Sequence, residues 1–392
     1  MNRRETLSIL AIAGLTVALA PASALAQAKP PIKLPETLAW TAYDVGSGGY
    51  NQSVAIGNAL KNKLGVSLRV LPGKNDISRT LPLREGKVHF SANGVGGTYL
   101  SQEGVFEFGA KEWGPQPVRS LLINNSDALL TIVTAKDANI KTMADLKGKR
   151  VAWVVGAPSL NQNITALLAF ASLTWSDVKR VDFPGFGQAM DGIIGNQVDA
   201  AFSSSISGLA YKVEASPRGL QYPIMAHKDK AGWARMNKVA PFFIPFMGTE
   251  GAGMSKDKPV EGATYPYPVL MTYVSANADL VYNMTRAMVE LYDDYKGGAP
   301  GNNGWALDRQ RFDWVVPLHD GAIKYFKEIG KWNANLQKHN DGLIKRQQVM
   351  AAAWDANKKS APADDAGFAK AWMKARADAL KKAGMEPVTT EW

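Results

Sequence analysis

Residues 38–52 read LAWTAYDVGSGGYNQ, and residues 151–162 read VAWVVGAPSLNQ. Each begins as an apolar run holding Ala-Trp, at Ala39-Trp40 and Ala152-Trp153, passes through a glycine at Gly46 or Gly156, and reaches Asn-Gln five residues later. Each then opens into a helix candidate, SVAIGNALKNKLG in the first case and NITALLAF in the second. The next element repeats as well. Residues 68–94 (LRVLPGKNDISRTLPLREGKVHFSANG) and 179–205 (KRVDFPGFGQAMDGIIGNQVDAAFSSS) both give an Arg-Val strand, a Pro-Gly loop and a helix of about ten residues. A glycine-bounded turn and a short strand starting near Val88 or Val198 close each copy. One shared fragment is ordinary chance, whereas an ordered set marks two related units.

The pattern predicts two β-α-β-α-β lobes, one starting near Pro35 and the other near Val151. Alternating strands and helices imply parallel sheets with helices on both faces. Ligands of such sheets bind outside the carboxyl ends of the strands. The loops GSGGYNQ (46–52) and GAPSLNQ (156–162) therefore belong at equivalent corners.

Between the copies, LLTIVTA (129–135) is a candidate crossing strand, and TMADLKGK (142–149) is a short helix with a glycine stop. A proline- and glycine-punctuated region runs to Gly253, and YPVLMTYVSA (267–276) is the return crossing. The rest reads as helices, ending in an alanine-lysine helix, APADDAGFAKAWMKARADALKKAG, of peripheral character. The expected organisation is lobe I from residues 35–130 and 268–392, lobe II from residues 131–267, with the C-terminal helices on lobe I.

Residues 1–26 read as a secretory signal peptide: Arg3 and Arg4, an apolar stretch from Leu7 to Ala20, and the small-residue pattern Ala24 to Ala26. The implied location is the periplasm. RRETLS matches a twin-arginine signal poorly. No later segment approaches the ~20 unbroken apolar residues of a membrane helix. The chain has no cysteine, which removes disulfides, cysteine nucleophiles and thiolate metal sites. The formal charge of +10 is spread among interleaved acids and bases rather than gathered in one run, and no nucleic-acid-binding motif accompanies it.

The glycine loop lacks both the GxGxxG spacing of a dinucleotide site and the GK[ST] ending of a phosphate loop. His89, His227, His319 and His339 are scattered and read as structural or surface residues. The serines at 203–205 and 207 have no GxSxG elbow. What remains is a set of small polar groups at strand-to-helix junctions. Facing helix N-termini offer free N–H donors and positive dipole ends, which suits a carboxylate without a catalytic residue. Lys74, directly after a Pro-Gly turn, is the best-placed cation, and Arg79 and Arg84 read as helix-surface residues. The candidate ligand-binding residues are Gly46, Ser47, Gly48, Gly49, Tyr50, Lys74, Asn93, Gly94, Gly156, Ser159, Asn161 and Ser204. Tyr50 reads equally as a packing residue, and Asn51 and Asn161 equally as helix caps.

GSGGYNQSVAIGNAL, REGKVHFSANGVGGTYL, IKTMADLKGKRVAWVVGAPS, NQVDAAFSSS and GATYPYPVL, in this order, resemble the TAXI family of extracytoplasmic solute receptors. These serve tripartite ATP-independent periplasmic (TRAP) transporters. The resemblance runs from about Pro35 to Leu291. It implies a class II periplasmic-binding-protein fold: two α/β lobes, crossing hinge strands and a cleft that shuts on a small organic acid or amino acid. It also implies a TRAP membrane permease as partner, no cofactor and no catalysis. The family's first loop maps onto Gly46 to Tyr50, the residues after its third strand onto Asn93 to Gly97, and its second-lobe loop onto Gly156 to Asn161. The chain departs from the family at LPGKND, SANGVGG and Ala157-Pro158-Ser159. An exported enzyme and a sensory binding protein on the same fold are the alternatives.

Overall fold

The computed structural model describes residues 30–390, so the signal-peptide reading lies outside the described residues. The chain begins with β1 (Thr37–Ala42), α1 (Gly48–Leu64), β2 (Ser67–Pro72), α2 (Asp76–Arg84), β3 (Phe90–Asn93), the single turn α3 (Ser101–Glu103) and β4 (Val118–Ile123). It continues through β5 (Leu130–Ala135), β6 (Arg150–Val154), α4 (Pro158–Phe170), β7 (Lys179–Phe183), α5 (Phe186–Ile194), β8 (Ala200–Ser204), α6 (Gly208–Glu214) and β9 (Leu220–Gln221). Next come α7 (Lys230–Val239), β10 (Ile244–Gly248), β11 (Val260–Thr264) and β12 (Val269–Tyr273). Helices α8 (Ala278–Glu290), α9 (Tyr292–Tyr295), α10 (Asp320–Glu328), α11 (Ala334–Ser360) and α12 (Asp365–Lys382) complete it.

Two five-stranded sheets result, ordered β2-β1-β3-β12-β4 and β7-β6-β8-β5-β9. They are the same arrangement twice: second strand, first, third, crossing strand, edge. Within each, the repeated β-α-β-α-β unit supplies the parallel part, β1 beside β2 and β3, and β6 beside β7 and β8. The parallel pairing expected from the sequence holds within each repeated unit, and the crossing strands add antiparallel pairs to it. β12 runs antiparallel between β3 and β4, and β5 antiparallel between β8 and β9, because each enters its sheet from the other lobe without a crossover helix. Strands β10 and β11 form a separate antiparallel pair that the sequence reading does not assign.

A matching clasp ties the first and third strands of each unit. His89, the residue before β3, donates its N–H to the Ala39 carbonyl and accepts the Ala39 N–H on Nδ1 at 3.1 Å. Asp199, before β8, donates its N–H to the Arg150 carbonyl and accepts the Arg150 N–H on Oδ2 at 3.0 Å. Helix boundaries follow local chemistry. Ser47 caps α1, Gly65 in the left-handed region ends it, and Lys61 and Lys63 lie at its negative end. Asn75 and Ser78 form a capping box on α2. TMADLKGK becomes a 3-10 turn over Met143–Leu146 with Thr142 and Asp145 as its box.

Leu38, Trp40, Phe90, Leu270, Met284 and Trp305 form the core under the first sheet. A larger cluster fills the second sheet's faces and continues to the inner side of the first. Helix α12 has a solvent face, yet it is pinned rather than peripheral. The Glu103 carboxylate, fully buried, takes a bidentate pair from Arg346 on α11 at 2.7 Å and a further bond from Arg376 on α12. Burial alone favours the neutral acid, but the two guanidiniums hold this carboxyl below its ordinary range. Trp372 donates its indole N–H to the Gly104 carbonyl at 2.6 Å and packs on Trp354.

Candidate functional cleft

The segments that follow β1, β6 and β8 and the one that leads into β12 meet around a cavity of about 20 Å³. That is the space of about one water molecule. Lobe I contributes Tyr43, Ser47 and Gly48, lobe II contributes Ser159, Leu160, Phe186, Ser203, Ser204 and Ser207, and Tyr265 and Tyr267 come from the segment leading into β12. Leu130 and Phe202 complete the apolar wall.

Four of the sequence-predicted residues, Ser47, Gly48, Ser159 and Ser204, meet at this cavity. The others stand behind it. Gly46 (φ 84°) and Gly156 (φ 69°) both take left-handed conformations in the loops after β1 and β6, a geometry glycine takes without a steric penalty. The Gly49 N–H donates to the Tyr267 hydroxyl at 3.4 Å. Tyr50 is half-buried on α1. Asn93 accepts from the Gly94 N–H at 3.0 Å and from Arg79 Nε at 3.4 Å. Lys74 is exposed and is not among the lining residues.

The cap readings of the two asparagines change. Ser47, not Asn51, caps α1, accepting from the Tyr50 N–H at 3.3 Å. Asn161 lies inside α4 and grips the end of β6, accepting from the Val154 N–H at 3.0 Å and donating to the Val154 carbonyl at 2.8 Å. Helix α4 begins at Ala157, which has no capping side chain.

The cap of α4 comes from the other lobe. Asp76, fully buried at the start of α2, accepts on Oδ2 the Ser159 N–H at 2.9 Å and the Ser159 hydroxyl at 2.6 Å. Its other oxygen takes Arg79 Nη2. A second carboxylate does the same nearby: Asp44 accepts the Gly187 N–H in the first turn of α5 at 3.0 Å. Two helix N-termini of lobe II, those of α4 and α5, are thus met by lobe I acids. Gly96 makes the first contact possible, since a Cβ there would fall inside the Asp76 carboxylate.

Arg79 overturns the helix-surface reading. It is 1% exposed, lies 3.5 Å over the Tyr43 ring, and spends its donors on Gly73, Asn93 and Asp76. Sequence gave no way to choose which face of α2 is buried, and LPGKND with SANGVGG are the segments that receive this cluster.

The hydroxyls around the cavity are short of acceptors. Ser47 and Ser207 accept from the backbone N–H groups of Tyr50 and Leu209, Tyr265 accepts from Asn163 Nδ2 at 2.7 Å, and Tyr267 accepts from Gly49. Each keeps its own proton to donate. Ser204, 7% exposed, has a buried hydroxyl with no hydrogen-bond partner among the described residues. The phenols stay protonated. Burial drives Tyr43 up to about 12, against the lowering effect of Arg79, and raises Tyr265 and Tyr267 as well.

Tyr43, Asp76, Arg79, Tyr265 and Tyr267 escaped the sequence reading as site residues. The two later tyrosines stand in GATYPYPVL, but a tyrosine between prolines carries no directional signal. His89, His319 and His339 serve the fold, the last two by capping α10 and bonding the Trp314 carbonyl. Among the described residues no group of three histidine or acidic side chains could hold a metal ion, and no helix is long and apolar enough to cross a membrane.

The profile of the NMT1-like family matches residues 45–330, which includes both corner loops, the whole second sheet and every strand of the first but β1. The chain belongs to the NMT1-like family. Helices α11 and α12 of this NMT1-like chain lie beyond the matched residues. Similar solved structures include an ancestral arginine-binding protein bound to arginine, 18% identical over 70% of this chain and 97% of that one, with a TM-score of 0.41. The alkanesulfonate-binding protein SsuA from Xanthomonas axonopodis pv. citri bound to MOPS is 13% identical over 83% and 94%, with a TM-score of 0.43. An ABC transporter periplasmic binding protein from Brucella ovis with glutathione bound is 11% identical over 66% and 69%, with a TM-score of 0.43.

Proposed function

We propose that this protein is an extracytoplasmic receptor that closes its two lobes on a small carboxylate-bearing solute and delivers it to a TRAP-type membrane permease. The observation that carries the reading is the cavity built jointly by the two corner loops, with Ser47 and Gly48 on one side and Ser159 and Ser204 on the other. A site completed only when both lobes meet couples binding to closure, because a ligand that touches both selects the closed state. Donor hydroxyls with protons to spare match the acceptor oxygens of a carboxylate. The permease partner and the periplasmic location rest on the TAXI resemblance and the N-terminal sequence pattern. The lining holds no histidine, and the one carboxylate on a lining serine, Asp76 on Ser159, is engaged by the α4 N-terminus and Arg79, so the site supports capture rather than acyl transfer.

A cavity of about 20 Å³ is closed tighter than any such solute allows, so the lobes must part to admit one. The test is a thermal-shift screen of the mature protein against organic acids, amino acids and sugars. A solute at 100 times its Kd is expected to stabilise by about 2.7 kcal/mol. Absence of any shift across the screen overturns the receptor reading, and shifts by neutral sugars alone overturn the carboxylate.

A further inference from the structure

We infer that the cleft selects a monocarboxylate with an apolar or aromatic body and discriminates against dicarboxylates and zwitterionic amino acids. This rests on the receptor reading above and specifies its solute. The argument is an inventory of charge. Lys74 is exposed and outside the lining, and the buried Arg79 is fully engaged by Asp76, Gly73, Asn93 and the Tyr43 ring. The donors offered to a ligand are therefore neutral: the hydroxyls of Ser47, Ser204, Ser207, Tyr265 and Tyr267. Ser204 is the strongest pointer, because a buried hydroxyl with no partner carries an unmet desolvation cost that an acceptor oxygen relieves.

One carboxylate satisfies such a set. A second has no cation to meet it. An ammonium group fares no better: the nearby acids, Asp76 and Asp44, are bound to the N-termini of α4 and α5, and no acid lines the cavity. Burying an unpaired charge is costly, and sites that leave a buried charged or polar group unpaired discriminate strongly. The remaining wall, Leu130, Leu160, Phe186 and Phe202 with the faces of the tyrosines, is apolar and suits a branched or aromatic body.

The test is isothermal titration of the mature protein with matched pairs: 4-methyl-2-oxopentanoate against leucine, phenylpyruvate against phenylalanine, and benzoate against terephthalate. The expected result is binding of at least one monocarboxylate, with its zwitterionic or dianionic partner weaker by about 100-fold or more. Ser204→Ala is expected to weaken that monocarboxylate by about tenfold without lowering the melting temperature of the unliganded protein. Equal or tighter binding of a dicarboxylate or amino acid overturns this assignment and leaves the receptor reading standing. Unchanged affinity in Ser204→Ala also overturns it. Failure of every acid, amino acid and sugar to bind overturns both.

Discussion

The corners after β1 and β6 start from the same sequence pattern and finish their helices differently. At the first, Ser47 caps α1 from within its own loop. At the second, Ala157 offers no cap, and Asp76 reaches across from lobe I to accept from Ser159. The first corner is complete when its lobe folds. The second takes its cap from the other lobe, so the duplicated loop has become one corner capped within its own lobe and one capped across the cleft.

The sharpest way to break this contrast is to remove the carboxylate. Asp76→Ala leaves Arg79 buried without its partner and α4 without its cap, with an expected loss of about 3–5 kcal/mol in urea unfolding. A loss below about 1 kcal/mol in that experiment contradicts the paired, buried state. Ser47→Ala removes the local cap, for which about 1 kcal/mol is expected in the same assay. It affects the stability of lobe I without depending on closure.

Ser159→Ala retains the N–H bond to Asp76 and loses the hydroxyl bond, so its stability effect is smaller, about 0.5–1 kcal/mol. Its informative readout is shape. Small-angle scattering of the unliganded protein is expected to show a larger radius of gyration for Ser159→Ala and none for Ser47→Ala, and equal radii for both variants erase the distinction between the two corners.

The clasps at the other end of the strands give the smallest effect. Asp199 is partly desolvated, which on its own raises a carboxyl, but bonds from Arg150 and its backbone N–H, with Arg218, bring it down to about 2. A carboxyl lower in the folded than in the unfolded chain contributes stability that is fully present above about pH 4 and is lost as pH falls toward 2. Melting temperatures between pH 5 and 2.5 are expected to fall less steeply in Asp199→Asn than in the parent, and identical slopes rule out this contribution.

Much of the architecture was legible because it is written locally and twice. The shared offset of Gly46 and Gly156 from Asn-Gln, the Pro-Gly loops and the short third strands gave the succession of elements in each unit, although β3 and β8 begin two residues after Val88 and Val198. Strands β10 and β11 were invisible among prolines and glycines, since pairing rather than propensity makes them strands. Among the site residues, Ser47, Gly48, Ser159 and Ser204 were readable as small polar groups at strand ends. Lys74 looked better placed than Arg79 because its loop position is a sequence property, while burial of one face of α2 is not.

The sequence by itself determined two duplicated α/β units, the glycines in the loops after their first strands, and a chain without thiol chemistry. These depend on residues a few positions apart, where backbone geometry leaves few choices. Only the tertiary structure decided which donors are spent and which are left for a ligand. Asp76 and Ser159 lie 83 residues apart, beyond the reach of any local pattern, and their contact between the lobes, like the burial of the Ser204 hydroxyl without a partner among the described residues, is a property of the folded chain alone.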